Sequence, residues 1–545
     1  MGRRTGYVSG AGLIAHEQDG GMKKYLPKGV SQAQFDSALS AMRAVVGPEW
    51  VIRDSNPLIA SYMDTYSAAP ESSTAAGAAV CPYTVEEVQK IVRIASQHGV
   101  PLWSISTGKN FAYGGPAPRT AGQVVLDLRR MNRIIEVNTD LAYAIVEPGV
   151  AYVDFYNHMQ RNKIPLWIDC AANGMGGVVG NTVDHGVGYT AYGDHLLLHC
   201  GMEVVLADGT LVHTGMGALP GGGRSSPVYQ YGYGPFIDGL FTQSNFGVVT
   251  KLGMWLMPIP PVFKPFKIQL QNEDDLYQIT ELLRPLKINM VIPNAAITTH
   301  LLWEASVYTT KHQWSTGPGA LPPKTLRKIA DKFNIGMWNF YAALYGPPEI
   351  VDANWKIIQD TFSQIKGAKI YTEENRKGDP SFDYRVKLMR GEPNLTEFSL
   401  LNWVGGGGHI NFSPISPASG TDAMSQFHTI RKSCEKFGFD YIGEFVIGWR
   451  EQHHILMLMF DRYNADESRR AHDCFAEQIN LAAAKGYGEY RTNLHFMDQI
   501  AATYDANGGA MLKMQRRMKR ALDPKGILSP GKNGIWPLAG SEENA

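Results

Sequence analysis

Apolar residues recur at helical spacing from 31 to 46, and Ser31 is placed to cap the first turn. A second helix is predicted from Pro82–Tyr83–Thr84–Val85–Glu86–Glu87–Val88 onward to His98, with Thr84 as cap and Glu87 completing a capping box. Short apolar stretches at 102–105, 124–128, 142–146 and 202–206 read as strands. The last turns at Asp208–Gly209 and resumes over 210–213, a hairpin signal. Strands alternating with helices up to about residue 250 predict an α/β arrangement with mixed pairing.

The pattern changes near residue 262, where Pro258, Pro260, Pro261 and Pro265 cluster. From 264 to 498 strands and helices mix with many aromatics, which predicts a second, α+β domain. Ala521–Leu522–Asp523–Pro524 closes a helix, and the tail Ser529–Pro530–Gly531–Lys532–Asn533–Gly534 is more like the loops of the first domain. The expected order is a loose arm at 1–27, a first domain at 28–263, a second at 264–498, and a segment at 499–545 returning to the first. A chain of 545 residues is long enough for two or three cores.

Composition narrows the function classes. Fifty-one basic residues balance 51 acidic ones, so no whole-protein field draws in nucleic acid or an anionic membrane. Five scattered cysteines without CxxC spacing argue against a zinc site or a disulfide framework, and no metal is expected. Arg3–Arg4 is followed by no apolar run, Glu542–Glu543–Asn544–Ala545 is no peroxisomal address, and no stretch is long enough to span a membrane. A cytoplasmic enzyme is expected.

Three glycine-rich segments carry the first chemical signal. Ser106–Thr107–Gly108–Lys109–Asn110 leads through Tyr113 to Gly114–Gly115 after a predicted strand. Its backbone N–H groups could face a pyrophosphate, although a plain turn would look the same. Gly174–Met175–Gly176–Gly177–Val178–Val179–Gly180–Asn181 runs on to Gly186–Val187–Gly188–Tyr189, and Gln243–Ser244–Asn245–Phe246–Gly247–Val248 is the third. Three such loops suit a dinucleotide threaded between two small subdomains. Gly405–Gly406–Gly407–Gly408–His409 puts a histidine on backbone able to approach a flat cofactor. In Gly488–Glu489–Tyr490–Arg491–Thr492–Asn493–Leu494 a hydroxyl and a fixed cation stand side by side, a pair able to hold a phenolate.

These segments, with Glu147–Pro148–Gly149–Val150, Tyr192–Gly193–Asp194–His195, Trp338–Asn339–Phe340–Tyr341 and Asp523–Pro524, resemble the vanillyl-alcohol oxidase and p-cresol methylhydroxylase family. The resemblance covers nearly the whole chain beyond residue 27. It implies an α+β protein with a bipartite FAD-binding domain of two α/β subdomains and an α+β cap over the flavin. The cofactor-binding positions it implies are Ser106, Thr107, Gly108, Lys109, Asn110, Glu147, Pro148, Gly149, Gly176, Gly177, Gly180, Asn181, Gly186, Tyr189, Gly247, Val248 and Lys532. Lys532 matches a basic residue near the flavin pyrimidine.

His409 stands where the oxidase branch carries its 8α-histidyl flavin link, while Leu401 occupies the place of the methylhydroxylase tyrosine. Tyr113, Tyr490 and Arg491 match the phenolate-binding trio. Glu397, Glu444 and His453 match polar residues around the substrate, where a carboxylate could take the proton of attacking water. Two positions depart from the oxidase branch. Ala172 replaces its aspartate near flavin N5, with Asp169 three residues earlier, and Ala171 replaces a proline. A residue bulkier than glycine there can shield the flavin from O2.

The resemblance implies hydride transfer from para-substituted phenols (4-alkylphenols or 4-hydroxybenzylic alcohols) to flavin N5 through a p-quinone methide, followed by hydration or desaturation. The acceptor is O2 or a c-type cytochrome, and a homodimer or higher homo-oligomer is expected. Oxidation of a sugar or lactone is the alternative within the superfamily, and a flavin-binding scaffold without turnover the alternative outside it.

Overall fold

The computed structural model describes residues 25–66 and 73–537. The expected arm lies outside the described residues except for 25–27, where Leu26 packs against the first core. The first helix spans Gln32–Val46, and its capping box is closed by Ser31 and Gln34. In the second, Val85–His98, Thr84 caps the Glu87 N–H, but the box stays open: the Glu87 carboxylate accepts from Tyr83 N at 2.6 Å instead.

Strands Val51–Arg53, Ala78–Val80, Val124–Asp127 and Leu102–Ile105 form a mixed sheet in that order, with one antiparallel and two parallel pairings. Successive side chains leave opposite faces, so Val124 and Leu126 join the two helices in one core while Val125 joins Trp103 and Tyr62 in another. A strand buried on both faces must be apolar throughout, which is why these runs stood out in the sequence.

A second, antiparallel sheet orders Ile134–Asn138, Tyr143–Val146, Val248–Trp255, His199–Val205 and Leu211–His213. Gly209, at φ +78°, makes the predicted hairpin turn.

The third sheet has eight strands, all paired antiparallel. Its first strand, Val262–Leu270, runs straight through Pro265. The edge strand Lys369–Thr372 covers only positions 266–269, so Pro265 has a ladder neighbour on one side alone, where proline is tolerated. One face of this sheet is covered by helices including Asp275–Ile288 and Gly420–Phe437. The other face sends Ile297, Tyr341 and Ala343 into a core shared with Ile168, Val179 and Tyr189 of the first half.

Residues 527–529 return to the first sheet. Leu102 N donates to Ile527 O at 2.7 Å and Ser529 N donates to Leu102 O at 2.8 Å, extending the free edge of Leu102–Ile105. Buried Lys519 holds this return, donating to Asn245 O at 2.6 Å and Leu528 O at 2.7 Å and pairing with Asp523 at 2.7 Å. Among the described residues no helix is long and apolar enough to cross a membrane, no three metal-ligating side chains cluster, and the five cysteines are free and buried.

Removing one member of a buried ion pair strands the other, at a typical cost of about 3–5 kcal/mol. Lys519→Met is therefore expected to lower unfolding stability by that amount in denaturant titrations of the FAD-loaded protein. A loss below about 1 kcal/mol would show that the return of the tail is held elsewhere.

Candidate active site

A long cavity runs between the third sheet and the two smaller ones. Strand alternation places His409 on it. In Gly408–Phe412, His409 and Asn411 face the cavity while Ile410 and Phe412 enter the core behind the sheet. Gly405 and Gly407, at φ +82° and +67°, make the turns that bring the strand in. The His409 Nδ1 is buried without a partner, and burial pushes the imidazole down to about 3, so the ring is neutral.

Ser106, Thr107, Gly108, Lys109, Asn110, Pro148, Gly176, Gly177, Gly180, Asn181, Tyr189, Gly247, Val248 and Lys532 all line the cavity. A Cβ at Gly177 or Gly180 would run into the Ser106 hydroxyl, so the first two glycine loops touch only because those positions carry no side chain. Glu147, Gly149 and Gly186 lie behind the wall. The Glu147 carboxylate accepts from Arg133 N, Nε and Nη2 at 2.9, 3.0 and 2.6 Å. A Cβ at Gly149 would meet the Arg129 carbonyl, and one at Gly186 would meet the Asn181 amide.

Tyr113, Tyr490 and Arg491 come together at one end. The guanidinium carbon lies 5.1 Å from the Tyr113 ring centre and 5.4 Å from that of Tyr490. Arg491 Nε and Nη2 donate to Asp184 O at 3.1 and 2.9 Å, which fixes the plane of the cation. The Asp184 carboxylate pairs with Lys532 at 3.2 Å and accepts from Asn110 at 3.2 Å. Burial pushes that carboxyl up, but the Lys532 and Arg491 charges outweigh it and hold it below its ordinary range. Ser413 shares a 3.2 Å hydrogen bond with the Tyr113 hydroxyl. Tyr113 titrates above the ordinary tyrosine range, chiefly through burial.

Glu397 lines the cavity, whereas Glu444 and His453 stand one layer back. The His453 ring lies edge-on to Tyr490 at 4.8 Å, and burial pushes it down to about 4. Burial pushes Glu444 up to about 8, against the pull of Arg385. Ala171, Ala172 and Leu401 also line the cavity. Asp169 does not: its carboxylate is taken by His195 at 2.6 Å and by the Thr190 N–H and hydroxyl at 2.8 and 2.5 Å. It cannot stand in for a carboxylate at Ala172.

Sequence reasoning missed Asp184, Ser413 and Arg385, and it missed three non-glycine residues with positive φ on the wall. Gln243, Ser529 and Asn533 have φ of 41°, 39° and 51°. Gln243 donates to Tyr490 O at 2.5 Å, and Asn533 donates to Gln243 O at 2.6 Å. The position of Asp184 beside Gly186, at the end of the second glycine loop, was the available signal for the first of these.

Residues 76–215 match the FAD binding domain model and residues 342–533 the C-terminal domain of FAD linked oxidases. The chain is 43% identical to the 4-cresol dehydrogenase [hydroxylating] flavoprotein subunit of Pseudomonas putida over 94% of its own length and 97% of that protein's. The crystal structure of p-cresol methylhydroxylase with substrate bound superposes with a TM-score of 0.92 at 43% identity, covering 94% of this chain and 99% of that one. The 4-ethylphenol oxidase of Gulosibacter chungangensis, in an isoeugenol complex, gives 0.92 at 40% identity with the same coverage. The fold and its cavity thus define a two-domain FAD-linked oxidoreductase. Within that class the chain belongs to the vanillyl-alcohol oxidase and p-cresol methylhydroxylase family.

Proposed function

We propose that the chain oxidises para-substituted phenols, 4-alkylphenols or 4-hydroxybenzylic alcohols, with FAD. The trio of buried Tyr113 and half-buried Tyr490 and Arg491 carries this reading. The Ser413 and Tyr113 hydroxyls can each donate in the bond they share, so Ser413 can donate to the Tyr113 oxygen and leave the tyrosine O–H for the substrate oxygen, while the second Nη of Arg491 supplies the charge. A phenol bound there is held as phenolate, whose electrons drive the benzylic hydride off and leave a p-quinone methide. When bound, FAD supplies the hydride acceptor. Water's oxygen then bonds to the benzylic carbon, its proton passes to the Glu397–Glu444 carboxyls, and the electron pair returns to the ring oxygen. Desaturation needs the same carboxyls to take a side-chain proton instead.

The donor set fits FAD. Glycines of all three loops line the cavity, and Lys532 supplies a cation at its wall. His409 offers an unpartnered, neutral ring nitrogen, the state a nucleophile needs. We infer an 8α-histidyl link there, because Leu401 has no nucleophile. The domain limits at 263 and 498 and a cytoplasmic setting belong to the same reading, the latter supported by five free cysteines. The electron acceptor is O2 or a c-type cytochrome, and Ala171 on the cavity wall favours slow reaction with O2.

Acid-denatured protein is expected to keep its yellow colour, with peptide mass mapping placing the adduct on His409. Flavin released wholly into the supernatant would refute the link.

Arg491→Ala is expected to slow anaerobic flavin reduction by 4-cresol roughly 10- to 100-fold, because a charge-assisted hydrogen bond contributes about 1.5–3 kcal/mol. The same experiment with 4-methylanisole tests the phenolate directly. Reduction as fast as with 4-cresol would sink the mechanism.

Ala171→Gly is expected to speed reoxidation by air and to leave reduction by phenol unchanged. Stopped-flow mixing with air decides the point: wild-type reoxidation already faster than reduction, and unaltered in the variant, would establish an oxygen path elsewhere.

A further inference from the structure

Behind Glu397 and Glu444 the cap buries a charge cluster drawn from separate elements. Lys267, Glu304, Arg385 and Glu444 have side chains 0–2% exposed. The Arg385 guanidinium, on helix Pro380–Met389, stands between two carboxyls: Glu304 Oε1 lies 3.8 Å from Nε and Glu444 Oε2 lies 3.6 Å from Nη2. The two carboxyls are served unequally. Glu304 accepts from the hydroxyls of Thr299, Ser381 and Tyr341 at 2.6, 2.6 and 2.5 Å and pairs with Lys267 at 3.4 Å. Glu444 Oε2 and Glu397 Oε2 accept no hydrogen bond.

We propose that Glu304 is a positioning residue that holds one edge of the Arg385 guanidinium, so that Glu397 and Glu444 keep a single proton between them. This rests on the reading that those carboxyls handle the proton of the attacking water. Two cations, Lys267 and Arg385, face three carboxyls in the cluster, and one retained proton makes it neutral. The neighbouring Asp379–Arg376 pair, 2.5 Å apart, balances itself. The other titratable groups facing the cluster, Tyr189, Tyr308, Tyr341 and Tyr384, are held neutral by burial. One carboxylate is then ready to accept a proton while its partner carries one, and Glu304 touches neither substrate nor cofactor. Glu444, pushed up to about 8 by burial, and Glu304, which Lys267 and Arg385 hold low against the upward push of burial, follow the same division.

The test is an infrared pH titration of the resting, FAD-loaded enzyme. At neutral pH the wild type is expected to show, beside any band of Glu489, whose carboxyl burial also pushes up, a protonated-carboxyl band that Glu444→Gln abolishes. Glu304→Gln frees Arg385 for Glu444 and should move loss of the band down by about one to two pH units, whereas Lys267→Met should move it up. Lys267→Arg should restore the wild-type midpoint. A purely structural role would not drive the two variants in opposite directions. The folded protein holds this proton more tightly than the unfolded chain, so the stability of wild type relative to Glu444→Gln should decline as pH rises from the ordinary carboxyl range to about 8. Flavin reduction by 4-ethylphenol enters neither readout, so failure of the phenol reading and failure of this inference are told apart. Absence of the band in wild type overturns the inference even if no variant folds. So does a midpoint unmoved by both single variants.

Discussion

Asp184 is the residue on which the geometry of the cavity depends. Its carbonyl fixes the plane of Arg491, and its carboxylate joins Lys532 of the tail to Asn110 of the first glycine loop. Gln243 adds a bond to the Asp184 carbonyl at 3.3 Å. Segments more than 300 positions apart in the chain are thereby set against one another by a single side chain and its own peptide. A carboxylate flanked by two cations stays ionised inside a partly dry wall, so the joint does not loosen as conditions change near neutrality.

Several of the buried charges are matched by an opposite one. Lys519 has Asp523, Lys267 has Glu304, and Arg385 has two carboxyls to share. Buried ions of this kind contribute little net stability over well-packed apolar residues, but removing one partner strands the other.

Local signals survived from sequence to structure where local physics decides. The Ser31 cap, the Gly209 turn and the apolar strands of the first sheet depend on neighbours a few residues away. The glycine loops were legible because missing side chains mark close approach, as Gly177 and Gly180 show against Ser106. Glu87 went astray because two backbone donors compete for its carboxylate, and Tyr83 N wins over Thr84 N. Pro265 lies inside a strand that starts at Val262, the place of the predicted boundary, and the edge that excuses it is set by a strand a hundred residues later. The cluster of Lys267, Glu304 and Arg385 left no trace, because three charges on three elements have no spacing to read.

The edge of Leu102–Ile105 accepts residues 527–529, and Asn245 binds the carbonyls of Ser529 and Ile535 at 3.1 and 2.8 Å. The first half of the molecule is therefore finished by residues that follow the third sheet in the chain. While the ribosome is still adding the cap, the first sheet carries an open edge, and the third glycine loop lacks the strap that closes over it. Lys532 reaches Asp184 only after some 530 residues have been joined. The Asp184–Lys532 contact on the cavity wall thus belongs to both halves of the molecule rather than to the first domain alone. A truncation late in the sequence would be felt first at its beginning.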